Sequence, residues 1–185
     1  LGSGIATDGL GGSDTLTSIE NATGGSLADT LTGSATDNIF RGLAGDDAIN
    51  GGAGNDTADY SGDAAFGQVI SVDGGNGVVV DLAGGTAIDG FGDTDTLTSI
   101  ENVIGSGAND IITGDSGSNT LDGDAGDDVI TGGAGNDTLN GGDGSDTAVF
   151  VGLLSEYTVT DDGNGDNNDF GLVIEHSDAG ADGID

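Results

Sequence analysis

No cysteine, proline, methionine or tryptophan occurs in the 185 residues, and Arg41 is the whole Lys and Arg complement against 34 acidic side chains. Without cysteine there is no disulfide staple and no clue to the redox compartment. A formal charge of −33 excludes nucleic acid as a natural partner, because phosphate would be repelled where Lys and Arg would hold it. The same charge argues against adsorption to an anionic membrane. Apolar runs are short, such as Val78-Val79-Val80, so nothing approaches a membrane span. No stretch sustains a helical apolar period over two or three turns. An initiator Met and a signal-peptide pattern are also lacking, so the sequence is expected to be part of a longer chain.

The natural counter-partner of so acidic a chain is a cation. With 40 glycines and few aromatics, the composition also suits a disordered segment or linker. Order along the chain separates the two, since disorder requires no strict apolar period. That period is present. The phrase Gly132-Gly133-Ala134-Gly135-Asn136-Asp137-Thr138-Leu139-Asn140 is one of nine tandem nonapeptides, starting at Gly24, Gly33, Gly42 and Gly51 and again at Gly105, Gly114, Gly123, Gly132 and Gly141. Their eighth residues are Leu31, Phe40, Ile49, Ala58, Ile112, Leu121, Ile130, Leu139 and Ala148, all apolar. Their sixth residues are Asp29, Asn38, Asp47, Asp56, Asp110, Asn119, Asp128, Asp137 and Asp146, so each carries a side-chain oxygen.

A longer duplication overlies the short one. Leu10–Gly24 returns as Phe91–Gly105 at an offset of 81 residues, both copies containing the phrase Asp-Thr-Leu-Thr-Ser-Ile-Glu-Asn. Two units follow. The first spans 1–81, with an entrance segment 1–23, nonapeptides 24–59 and a hairpin insertion 60–81. The second spans 82–185, with an entrance segment 82–104, nonapeptides 105–149 and a hairpin insertion 150–185. Val69–Asp73 and Val78–Leu82, around Gly74-Gly75-Asn76-Gly77, read as one hairpin. Tyr157–Thr160 and Phe170–Glu175, around a polar loop, read as the other. The fold class is all-β.

A strand with one apolar side chain buries little alone, but stacked in register the eighth residues form an internal column, which is solenoid logic. Glycines at positions one, two and four permit left-handed or tightly curved backbone. Two nonapeptides make one coil, so turns eighteen residues apart stack on one edge. That stacking lines up the sixth-position carboxylates, which is unstable without a cation between them. Carboxylates and carbonyls are hard ligands that suit Ca²⁺, with roughly 6–8 oxygens in flexible geometry, better than Mg²⁺. Without sulfur or imidazole in the repeats, Zn²⁺ and Cu²⁺ are disfavoured.

The phrase Gly-Gly-x-Gly-x-Asp-x-U-x, with U a large apolar residue, resembles the repeats-in-toxin (RTX) family of type I-secreted bacterial proteins. The resemblance covers 24–59 and 105–149, with entrance segments also of RTX type. It implies a calcium-bound parallel β-roll in two blocks, in which one ion lies between turns eighteen residues apart. The lower turn then gives the carbonyls of positions two and four and its sixth side chain. The upper turn gives the carbonyls of positions one and three and its sixth side chain. The implied sites join Gly25, Leu27 and Asp29 with Gly42, Ala44 and Asp47, and Ser34, Thr36 and Asn38 with Gly51, Ala53 and Asp56. In the second block Ser106, Ala108 and Asp110 join Gly123, Ala125 and Asp128, while Asp115, Gly117 and Asn119 join Gly132, Ala134 and Asp137. Asp124, Gly126 and Asp128 join Gly141, Asp143 and Asp146, about five ions in all. Asn38 and Asn119 stand where Asp is expected and imply weaker sites. Asp14 and Asp95 are candidate extra ligands at the block entrances, and Glu20 and Glu101 candidate caps or ligands.

Other features carry less. Asp162, Asn164 and Asp166 hint at an EF-hand loop, but Asn167 and Val173 stand where Gly and Glu are needed, so a polar loop is the better reading. His176 has no ligating partners and reads as a surface residue. Tyr60 and Phe150 read as apolar end caps over Ala58 and Ala148, and Arg41 as a solvated outward residue. Nucleophile elbows, P-loops and a plausible general acid are missing, so no enzyme is expected. Ice binding by position-three threonines is disfavoured, since that position holds none. The expectation is a structural calcium-binding array of a large secreted protein at the cell surface or outside the cell: an adhesin, surface-layer or extracellular matrix protein. The alternative is a non-catalytic secretion and folding module of a type I-secreted enzyme or toxin. Calcium ions are the expected partner, and end-to-end self-association of rolls a further expectation.

Overall fold

Ordering the backbone of nine residues costs on the order of 10 kcal/mol, while burying one Leu or Ile returns only about 1.5–3 kcal/mol. A single nonapeptide therefore has no fold of its own, and its strand exists only through its neighbours. The computed structural model describes residues 3–7, 13–63, 77–150, 157–161 and 172–176, which form strands and turns without a helix. In chain order the strands are β1 (Ser3–Thr7), β2 (Asp14–Thr17), β3 (Asn21–Thr23), β4 (Thr30–Thr32), β5 (Ile39–Arg41), β6 (Ala48–Asn50) and β7 (Thr57–Asp59). They continue as β8 (Val79–Asp81), β9 (Thr86–Ile88), β10 (Thr94–Thr98), β11 (Asn102–Ile104), β12 (Ile111–Thr113) and β13 (Thr120–Asp122). The last five are β14 (Val129–Thr131), β15 (Thr138–Asn140), β16 (Thr147–Val149), β17 (Tyr157–Asp161) and β18 (Leu172–His176).

Successive nonapeptides alternate between two sheets. One is ten-stranded, β16-β14-β12-β8-β9-β10-β6-β4-β1-β2, and the other six-stranded, β15-β13-β11-β7-β5-β3. Within the repeats the pairing is parallel and in register, so the eighth positions meet: Leu31 with Ile49, Ile112 with Ile130, and Leu121 with Leu139. These side chains line the interior, and Leu31, Phe40, Ile49, Ile112, Leu121 and Ile130 are all buried. The fold is the expected parallel β-roll. No described helix is long and apolar enough to cross a membrane.

The two units share their sheets, and three local expectations, for β8, Tyr60 and Arg41, change. The sheets run unbroken across the expected boundary at residues 81 and 82: β6 pairs with β10, and β7 with β11. β8, expected in a separate hairpin, instead pairs parallel with β12 and antiparallel with β9. Its run Val79–Asp81 continues the Ile112 column, so joining the core outweighs a free-standing hairpin; its expected partner 69–73 lies outside the described residues. Tyr60 does not cap an end, because Ala58 pairs onward with Val103; it is buried where the blocks meet, 1% exposed. Arg41 is not simply solvated, since its Nη2 lies 2.6 Å from Oδ2 of Asp59. At the C-terminal end β17 and β18 pair antiparallel, Tyr157 opposite His176. The expected EF-hand hint at 162–173 lies largely outside the described residues.

Candidate metal centres

The turns come in two kinds. In the nonapeptides starting at Gly42, Gly51, Gly123, Gly132 and Gly141, positions two and four both take positive φ: Leu43 (66°) with Gly45 (115°), Gly52 (100°) with Gly54 (138°), and likewise in the second block. Asp124, at a φ of 71°, adopts this left-handed backbone without being glycine. The turns starting at Gly24, Gly33, Gly105 and Gly114 open their blocks and have no positive φ. That is why Leu27, Thr36 and Ala108 can replace glycine there. In several opening turns a side chain holds the loop instead: Ser106 Oγ donates to Asp110 Oδ1 (2.8 Å), and Gly117 N–H to Asp115 Oδ1 (2.7 Å).

All five expected turn pairs are brought together. The sixth-position side chain of each upper turn accepts a hydrogen bond at Oδ1 from the backbone N–H of the sixth residue below. Asp47 accepts from Asp29 (2.8 Å), Asp56 from Asn38 (2.8 Å), Asp128 from Asp110 (2.7 Å), Asp137 from Asn119 (2.8 Å) and Asp146 from Asp128 (2.9 Å). One oxygen of each carboxylate thus belongs to the ladder. The Oδ2 atoms of Asp47, Asp56, Asp128 and Asp146 are buried with no hydrogen-bond partner. The first glycine of each lower turn marks where oxygens converge. A Cβ on Gly24 would stand under 3.0 Å from both Asp29 Oδ2 and the Gly42 carbonyl, and one on Gly123 from Asp128 Oδ2 and the Gly141 carbonyl. Gly33, Gly105 and Gly114 show the same convergence of the sixth-position oxygen with the carbonyls of Gly51, Gly123 and Gly132.

Not every expected carbonyl is open. Those of Ser34, Asp115 and Asp124 accept turn-to-turn bonds from Ala53 (3.1 Å), Ala134 (2.9 Å) and Asp143 (2.8 Å), and that of Asp143 accepts from Gly126 (2.8 Å). Each retains a second lone pair. Among the described residues no three acidic side chains converge on one point, as expected where each level offers only two sixth-position groups.

Burial is the first cause that pushes Asp47 up to about 6 and Asp128 up to about 7, and neighbouring carboxylates add to it. Asp110 is likewise pushed up to about 6, chiefly by burial. Burial works the same way on Asp59, but hydrogen bonds from Arg41 and Ser61 outweigh it and hold the group below its ordinary value. No second basic residue among Lys and Arg exists to serve the turns.

The repeat pattern decides the family. The model of the RTX calcium-binding nonapeptide repeat matches residues 23–58, 89–128 and 113–148, more than half of the chain. The chain belongs to that family. RTX repeats bind calcium, and the turns of this RTX chain fit it on their own evidence: buried carboxylate oxygens without donors, carbonyls converging beside glycines, and no sulfur or imidazole ligand. Bound calcium supplies the positive charge that the turns lack. No curated protein matches the chain.

Two residue types take roles that the nonapeptide pattern leaves out. Asn38 Nδ2 donates to the Glu20 carbonyl (3.1 Å) and Asn119 Nδ2 to the Glu101 carbonyl (2.8 Å). An amide donor is needed there, and a carboxylate could not supply it. Asp95 Oδ1 accepts the Asp47 N–H (3.0 Å), and Glu101 Oε2 the Asp56 N–H (2.8 Å). The second entrance segment thereby provides the sixth-position carboxylates of the next level. Only the repeated Asp-Thr-Leu-Thr-Ser-Ile-Glu-Asn phrase hints at this in sequence.

Proposed function

We propose that the chain is a calcium-folded structural segment of a large secreted protein of the adhesin, surface-layer or extracellular matrix kind, without catalytic chemistry of its own. The single observation that carries this reading is the series of buried sixth-position oxygens without donors at Asp47, Asp56, Asp128 and Asp146. A column of such groups is self-repelling until cations enter, so ion binding and folding become one event. In this reading the ligands are the five turn pairs named above. Extracellular modules typically bind calcium with dissociation constants of about 10⁻⁴–10⁻³ M, which keeps such a chain unfolded where calcium is scarce and folds it outside the cell. The unbroken sheets across both units support a spacer that lengthens by repetition, which favours the adhesin-like context over a secretion module attached to an enzyme or toxin. A circular dichroism titration tests the core of the reading. The expected result is a disordered spectrum in chelator and a β spectrum in millimolar calcium; one spectrum in both conditions would overturn it.

A further inference from the structure

Where the two blocks meet, residues that belong to no nonapeptide bury a second group of carboxylates. Asp63 follows β7, Asp89 follows β9 and Asp95 lies in β10; they are 1%, 1% and 0% exposed. Asp95 is fully engaged, its Oδ1 by the Asp47 N–H at 3.0 Å and its Oδ2 by the Tyr60 hydroxyl at 3.2 Å. Asp89 is half engaged: Oδ1 accepts from Phe91 (3.0 Å) and Asp93 (2.7 Å), while Oδ2 has no partner. Neither oxygen of Asp63 has any partner. Its own N–H donates to the Tyr60 carbonyl at 2.9 Å, which anchors the backbone and leaves the carboxylate aimed inward. Asp89 and Asp95 are the charges that act on it most strongly.

Three buried carboxylate oxygens without donors need a counter-charge or protons, because an isolated buried carboxylate is strongly unfavourable. The one guanidinium of the chain, Arg41, is engaged by Asp59. We propose that Asp63 and Asp89 hold a calcium ion at the junction of the blocks, outside the nonapeptide turns. The inference rests on the calcium reading above. Two carboxylates per ion are also what each turn pair of this chain offers, with carbonyls or water completing a flexible oxygen shell. Burial and the charges of Asp89 and Asp95 push the Asp63 carboxyl up to about 8, the mark of a site that holds a proton whenever it lacks a cation. Such an ion ties the end of the first block to the β9–β10 pair of the second.

Calcium per chain, measured by equilibrium dialysis, and tyrosine-sensitised Tb³⁺ luminescence test this, because the chain has no tryptophan and only Tyr60 and Tyr157 as tyrosines. Asp63→Asn and Asp89→Asn are each expected to keep the calcium-dependent β spectrum and lose one calcium per chain. They should also lose the Tb³⁺ emission that Tyr60→Phe removes. An unchanged ion count in the folded variants overturns the junction site and leaves the turn sites standing. A wild-type chain with no calcium-dependent β structure overturns the underlying reading instead. If both Asn variants fail to fold, wild type against Tyr60→Phe decides, and equal emission from the two overturns the site.

Discussion

Asp128 sits in two levels of the stack at once. Its Oδ1 accepts from Asp110 below, and its own N–H donates to Asp146 above. A residue shared in this way serves as upper ligand of one turn pair and lower ligand of the next, whereas Asp146 serves one. Asp128→Ala is therefore expected to remove about two calcium ions per chain and Asp146→Ala about one, as read by calorimetric titration; equal losses would contradict the shared role. The carboxylates at position six were legible from the period of nine alone. The two asparagines were legible only as departures. Their purpose appears once Asn38 and Asn119 are seen eighteen residues beyond Glu20 and Glu101, donating to the backbone carbonyls of those entrance residues. A carboxylate there would place a second acceptor against an acceptor.

At the scale of the element, position four separates two backbone regimes that share one residue type. Gly135 has a φ of +117°, and an added Cβ would run into the Gly117 carbonyl. Gly117, one coil below, lies outside the left-handed region, and its nearest neighbour would be the Asp115 side chain at 3.2 Å. Gly135→Ala should thus cost at least about 1–2 kcal/mol, and Gly117→Ala should be neutral or stabilise by about 0.4–1 kcal/mol through the unfolded chain. Thermal unfolding in saturating calcium checks both. The strand at 57–59 and its eight counterparts were readable from the apolar eighth position, because no other placement buries it. Val79–Asp81 was not, since a short run of valines beside Gly74-Gly75-Asn76-Gly77 satisfies hairpin chemistry equally well. What assigns it is the vacancy below Ile112 in a stack that local sequence does not reveal.

Across the whole molecule the buried carboxylates couple folding to protons as well as to calcium. Their folded pKa values lie above the ordinary value of 3.8: about 6 for Asp47 and Asp110, about 7 for Asp95 and Asp128, and about 8 for Asp63, with burial the first cause in each. A raised folded value means that the calcium-free fold binds more protons than the unfolded chain, so it is favoured below about pH 4 and loses stability as pH rises through 6 to 8. In chelator, β structure followed by circular dichroism should grow on acidification, and above about pH 4 the calcium needed for half-folding at fixed ionic strength should fall with it, because protons stabilise the calcium-free fold. The unbroken register from β3 through β15 also has a metric consequence. Each pair of nonapeptides advances the six-stranded sheet by one strand, roughly 4.8 Å, and inserting or deleting such a pair leaves every other contact in place. The chain is a ruler graduated in steps of eighteen residues, and its reach is set by counting rather than by shape.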